Sequence, residues 1–227
     1  MAHRTLTTLF FAGTDTDVGK TYTASCVASG FKRAGRRVGV YKPVASGCRE
    51  VDSSLVADDA VVLWEAAGRP RTLEEVCPQR FIEPLAPPEA AAAEGKVVDA
   101  DLLRSGAVCW EEDSDLLIVE GAGGLLSPLA DGVLNIDLVK QFKAVTLVIV
   151  AANRLGAIHQ TLATCAAAVH HGVKPCGIIL CDPTGDAEKS TRSNAAQIER
   201  YCDVPVLGAI PFDGNLDHVA LVQKLLI

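Results

Sequence analysis

The chain carries eight cysteines but no Cys-x-x-Cys pair. That absence argues against a zinc site or a disulfide framework. Cys26, Cys109, Cys165 and Cys202 sit in helical or apolar patterns, where cysteine behaves as a small hydrophobe. Cys176 and Cys181 fall at odd spacing on one predicted strand, so they point to opposite faces and share no metal. Free thiols in a cytoplasmic protein are the expectation. The sequence also lacks any long run of one charge sign, and its net charge is −7. Nucleic acid and anionic membrane are therefore not expected as partners, and an anionic ligand must meet a local positive site. No secretory leader pattern shows at the N-terminus. The apolar run Leu6–Ala12 is too short to span a membrane and reads as a strand. No internal repeat or low-complexity tract stands out.

What is present is a stretch rich in chemistry, Gly13-Thr14-Asp15-Thr16-Asp17-Val18-Gly19-Lys20-Thr21. It follows the β-branched and aromatic run and opens a helical pattern. Strand, glycine loop, Gly-Lys-Thr and helix make up a phosphate-binding loop. Backbone N–H groups of such a loop wrap phosphate oxygens, and the helix N-terminus adds a positive dipole end. Lys20 would reach the β- and γ-phosphates, and the Thr21 hydroxyl would ligate Mg²⁺. The usual pattern has four residues between its glycines, whereas here five separate Gly13 from Gly19. The alternative is a chance Gly-Lys-Thr in a turn.

With 227 residues, 49% of them hydrophobic, one sizeable core is expected, and a single domain over residues 1–227. Apolar runs at Leu6–Ala12, Arg37–Tyr41, Asp115–Glu120, Val145–Ala151, Pro175–Cys181 and Val204–Ile210 read as strands. Helical patterns run near Gly19–Ala34, Leu155–His171 and Ala187–Tyr201. The alternation predicts an α/β fold, a doubly wound, mostly parallel sheet flanked by helices, of the P-loop NTP hydrolase type. Ligands of such sheets bind beyond the carboxyl ends of the strands. The segment Gly68–Gly95 differs, with five prolines and then an alanine-rich stretch. A linker is one reading; interleaved Phe81, Ile82 and Leu85 favour a structured insertion.

Three further positions lie at predicted strand or helix ends. Glu120 ends a strand and precedes Gly121-Ala122-Gly123-Gly124. It could hold Mg²⁺ or its water opposite the phosphate loop, or be a plain strand-end acid. Lys42 follows the second strand in Tyr41-Lys42-Pro43-Val44-Ala45-Ser46-Gly47. It could neutralise a transferring phosphoryl group or a substrate carbamate or carboxylate, with Ser46 as a hydroxyl donor. As a lone Lys-Pro it would be a solvated strand end. Asp58 and Asp59 open a helical pattern, where the dipole alone favours carboxylates. Thr21, Asp59 and Glu120 would nonetheless make an oxygen set suited to Mg²⁺. His159, His170 and His171 pair with no fitting nucleophile and read as structural.

Together these motifs resemble dethiobiotin synthetase, the ATP-dependent ligase of biotin synthesis. The resemblance rests on GTDTDVGKT at Gly13–Thr21, YKPVASG at Tyr41–Gly47 and VEGAGG at Val119–Gly124, and runs through nearly the whole chain. It implies a homodimer that converts 7,8-diaminononanoate, CO₂ and ATP into dethiobiotin, ADP and phosphate through a phosphorylated carbamate. It also implies that Thr16, Lys20, Lys42 and Ser46 surround the carbamate and γ-phosphate, with Gly123 beside the substrate. Nucleotide contacts fall to Gly13, Asp15 and Asp17, to Val18 and Gly19, and to Lys20 and Thr21. Mg²⁺ falls to Thr21, Asp59 and Glu120. The substrate's far carboxylate meets a partner-subunit helix start resembling Gly156-Ala157-Ile158-His159. The sequence departs from the family pattern in two places. Cys181 stands where family members often place an asparagine that reads adenine, so base selectivity should loosen and other nucleoside triphosphates should be accepted. His159-Gln160 replaces a commoner asparagine-histidine pair, which matters little if the contacts are backbone. The loop Ile210-Pro211-Phe212-Asp213-Gly214 loosely matches the base-binding loop, with Pro211 at the base.

Three other readings compete, one of them a catalytically silent nucleotide-binding module. A partitioning-type P-loop ATPase carries a lysine five residues before the loop lysine, where this chain has Asp15. An amidotransferase-linked ligase would need a glutaminase domain for which the chain has no room.

Overall fold

The computed structural model describes residues 6–182, 184, 191–212 and 224–225. Six strands form its main sheet: β1 (Thr7–Gly13), β2 (Val38–Tyr41), β3 (Leu116–Gly124), β4 (Val145–Ala152), β5 (Gly177–Cys181) and β6 (Val206–Ile210). Their order is β6–β5–β4–β1–β3–β2, and every neighbouring pair is parallel. On β1, Leu9, Phe10 and Phe11 are successive and all buried. Successive strand residues point to opposite faces, so both faces of the sheet are covered. This is why the strands read as unbroken apolar runs rather than alternating ones.

Parallel neighbours require crossovers, and helices supply them. The longest are α1 (Lys20–Arg33), α2 (Asp58–Ala67), α3 (Pro87–Ala93), α4 (Asn135–Gln141), α5 (Ala157–His170) and α6 (Thr191–Tyr201). Helices α1 and α5 begin after Gly19 and Gly156, which take left-handed φ values of 85° and 93° that a helix cannot continue. The predicted starts at Gly19 and Leu155 are thereby displaced. For α6, the predicted residues 187–190 lie outside the described residues. Gly13 of β1 and Lys20 of α1 bracket the phosphate loop at the carboxyl edge of the sheet.

Two sequence expectations need correction. Strand β3 does not stop at Glu120 but continues to Gly124. Phe11 pairs with Glu120, while Gly13 pairs with Gly124, so extra residues bulge out of β3 between them. The strand β5 begins at Gly177, leaving Cys176 just before it. The proline-rich segment is a structured insertion. Its short helix Leu73–Val76 is closed by a Thr72–Glu75 capping box, and Gln79–Arg80 pairs with Val44–Ala45. Prolines stand at the start of α3, where their missing N–H removes no helical bond. Of its apolar residues Phe81 is buried, but Ile82 and Leu85 are half exposed.

All eight cysteines are free thiols. No helix among the described residues is long and apolar enough to cross a membrane.

Candidate active site

A cleft of about 930 Å³ opens at the carboxyl ends of β1, β2 and β3. It gathers ten of the residues singled out in the sequence: Thr16, Asp17, Gly19, Lys20, Thr21, Lys42, Ser46, Asp59, Glu120 and Gly123. The phosphate loop forms one wall. Asp17 and Gly19 both take positive φ, 54° and 85°. Such alternation of backbone handedness makes concavities that suit anions. The Lys20 ammonium donates to the Asp15 carbonyl at 2.9 Å, and the Asp15 carboxylate accepts from the Thr16 N–H at 2.8 Å. Val18 is fully buried, so it can offer the cleft only its backbone.

The floor is a charge cluster in which Lys42 and Glu120 are buried and Asp59 is half exposed at the edge. Lys42 is 3% exposed and Glu120 1%. Lys42 Nζ lies 2.7 Å from Glu120 Oε1 and 3.0 Å from Asp59 Oδ2, and the Thr21 hydroxyl donates to Glu120 Oε1 at 2.8 Å. Lys42 is thus no solvated strand end. Burial pushes the Glu120 carboxyl up, the Asp59 carboxylate adds to this, and the nearby Lys42 ammonium offsets only part of it. Burial would lower the Lys42 ammonium, but Glu120 and Asp59 outweigh it and hold the group charged. For Asp59, burial pulls upward but Lys42 prevails, and the carboxyl sits below its ordinary value. Lys20 is lowered by burial, with Lys42 adding to that effect. Glu120 Oε2 is buried with no hydrogen-bond partner. That free acceptor, with the Asp59 carboxylate and the Thr21 hydroxyl, is an oxygen donor set fit for a hard divalent cation.

A family model described as an AAA domain matches residues 7–220. The ATP-dependent dethiobiotin synthetase BioD of Rhodopirellula baltica is 43% identical over 211 residues, covering 88% of this chain and 82% of that one. The protein of the same name from Bacillus subtilis (strain 168) is 36% identical over 216 residues, covering 95% and 92%. The chain belongs to the dethiobiotin synthetase family. It is an enzyme of the ligase class, which sets aside the partitioning-type reading. A solved structure of the signal recognition particle receptor FtsY from Elizabethkingia anophelis matches with a TM-score of 0.53 at 17% identity. It covers 98% of this chain and 67% of that one, and it carries the fold alone.

Several residues of the dethiobiotin synthetase resemblance do not line this cleft. Gly13 is buried and Asp15 exposed, and neither is among the residues that line the cleft. Gly156, Ala157, Ile158 and His159 start α5 away from the cleft of their own chain. Pro211 is exposed just after β6, and Asp213 and Gly214 lie outside the described residues. Cys181 requires a correction. It is 1% exposed, and a Cβ at Gly19 would overlap its sulfur. The thiol packs against the phosphate loop at Gly19, so it offers no edge to a nucleobase. The sequence reading also missed Tyr22, Pro84–Pro87, Ser127 and Pro128 as cleft residues. Only the proline-rich insertion carried a signal, and that signal did not say where the insertion would dock.

Proposed function

We propose that this protein closes the cyclic urea of dethiobiotin from 7,8-diaminononanoate, CO₂ and ATP. The observation that carries the reading is one cleft in which the buried Lys20 and Lys42, the carboxylates of Asp59 and Glu120 and the hydroxyls of Thr16, Thr21 and Ser46 meet around a phosphate loop. One substrate amine attacks CO₂ and loses a proton, giving a carbamate. A carbamate oxygen then attacks the γ-phosphorus, the bond to the ADP oxygen breaks, and a carbamic–phosphoric anhydride forms. The second amine attacks the carbonyl carbon, a C–N bond closes the ring, and phosphate leaves with its bonding electrons. The closing nitrogen gives up a proton.

The protein's part is positioning and charge. Lys20 and Lys42 face the anionic oxygens that change during transfer, and Thr16 and Ser46 offer hydroxyl donors beside them. Asp17, Val18 and Gly19 give loop backbone to the phosphates. Thr21, Asp59 and Glu120 would hold Mg²⁺, which when bound neutralises phosphate charge. We assign the start of α5, Gly156 to His159, to a second copy's substrate carboxylate in a homodimer. Leu155 beside it is 80% exposed, which suits burial against a partner. With the Cys181 thiol turned inward, no side chain at that position selects adenine, and other nucleoside triphosphates should serve.

The test is incubation with the diamine, bicarbonate and each triphosphate, with the product identified by mass. Dethiobiotin formed only when all three are present supports the reading. ADP release without diamine or bicarbonate contradicts it.

A further inference from the structure

The glycine turn after Glu120 is held from behind by one side chain far along the chain. Asn135, the first residue of α4, is fully buried. Its Nδ2 donates to the carbonyls of Ala122 at 2.7 Å, Gly124 at 2.8 Å and Ser127 at 3.3 Å. An amide nitrogen has only two hydrogens, so the longest of these contacts is shared. Backbone bonds extend the clamp. The Asn135 N–H donates to the Ser127 carbonyl, and the Ile136 N–H to that of Leu125, each at 3.1 Å. The Gly124 N–H donates to Ser127 Oγ at 2.9 Å, and the Leu125 N–H to the Gly13 carbonyl at 3.0 Å. The turn is thereby tied to the first residue of the phosphate loop.

The other end of the amide explains a residue that motif reading leaves as a plain glycine. Asn135 Oδ1 lies so close to Gly121 that a Cβ there would overlap it. Gly121 and Asn135 are therefore one device. On the far side, Ala122, Gly123 and Ser127 line the cleft, and a Cβ on Gly123 would lie 3.7 Å from Thr16 Oγ1. Carbonyls that point at Asn135 do not point at that part of the cleft, where a carbonyl dipole would repel an anion.

We infer that Asn135 is a positioning residue: it turns the carbonyls of Ala122, Gly124 and Ser127 away from the Thr16 side of the cleft and sets the wall there. This rests on the proposed carbamate chemistry at Thr16, Lys42 and Ser46. Misplacing that wall should raise the diamine KM and lower kcat, while the phosphate loop keeps its grip on nucleotide.

The experiment compares Asn135→Ala, Asn135→Asp, Gly121→Ala and the Gly121→Ala/Asn135→Ala double variant with the unmodified enzyme. Diamine kcat/KM should fall roughly 10- to 100-fold in each single variant, the scale of an ångström-level misplacement. Nucleotide Kd, measured separately, should stay within about twofold, since no contact to the loop's own residues 14–21 is removed. The aspartate variant should do no better than alanine, because it sets a carboxylate oxygen against three carbonyls. The double variant should be no worse than the worse single one, because without Asn135 the alanine meets no Oδ1. Equal rises in nucleotide Kd and diamine KM, no change in either, or failure of the variants to fold would each overturn the inference. Failure of the unmodified enzyme to make dethiobiotin would instead refute the function on which it rests.

Discussion

A carboxylate as buried as Glu120 needs a counter-charge, and Lys42 supplies it at 2.7 Å. Removing the lysine should therefore have two effects. In the ligand-free protein, Lys42→Ala leaves Glu120 uncompensated and should destabilise by about 3–5 kcal/mol. In turnover, it should lower kcat by about 10²–10³-fold, the scale for a donor aimed at developing charge, with a smaller change in nucleotide Kd. Lys20→Ala should weaken nucleotide binding itself. Equal losses of affinity in both variants, by calorimetry, would contradict that division. Glu120→Gln should raise the Mg²⁺ concentration needed for half-maximal rate; an unaltered titration would remove Glu120 from the metal set. At this scale the sequence was readable where residue type and spacing name a chemistry, as in Gly13–Thr21, Lys42 and Glu120. It was silent on Asn135 and Ser127, which act through backbone carbonyls and amides that no motif encodes. It misled on Cys181, because β5 is buried on both faces and its apolar residues do not say which way each points.

Among the elements, the junction of β1 and α1 is doubly constrained. Gly19 combines a φ of 85° with contact against the Cys181 sulfur. Gly19→Ala should thus destabilise by more than about 1 kcal/mol in denaturant unfolding and sharply weaken nucleotide binding. Unchanged stability would mean that the loop accommodates a side chain. Cys181→Ala only trims the packing beneath the loop, so the relative turnover with ATP, CTP, GTP and UTP should not change. A shift in those ratios would return the thiol to the base site. The strands were legible because parallel strands covered on both faces read as continuous apolar runs. The extension of β3 through Gly124 was not, because glycines signal a turn while the pairing partner, Gly13, lies over a hundred residues away. The proline-rich insertion announced its order by its apolar residues. Its position over the cleft depends on the Val44–Ala45 pairing with Gln79–Arg80, a tertiary choice.

For the molecule as a whole, several carboxylates are held below their ordinary range by groups that exist only in the fold. Glu75 is lowered first by the Thr72 N–H, Glu94 by Lys96, and Asp137 by the Leu134 N–H. Groups lowered in this way contribute stability that is full above their unfolded values, about pH 4, and lost as pH falls through the lowered ones. Glu120, raised by burial, acts in the opposite sense and is a single group. The urea midpoint should therefore fall as pH drops below about 4. A midpoint that rises there would contradict the assignment. The sheet order that sets β1, β2 and β3 side by side is what brings Lys20, Lys42 and Glu120 into one cleft. The central claim is that this cleft phosphorylates a carbamate. In that chemistry an oxygen of CO₂ becomes an oxygen of the released phosphate. Turnover with ¹⁸O-labelled CO₂ and bicarbonate, followed by mass analysis of the phosphate, tests it directly. One label per phosphate is the expected result; phosphate free of label, formed alongside ADP and dethiobiotin, would contradict the account.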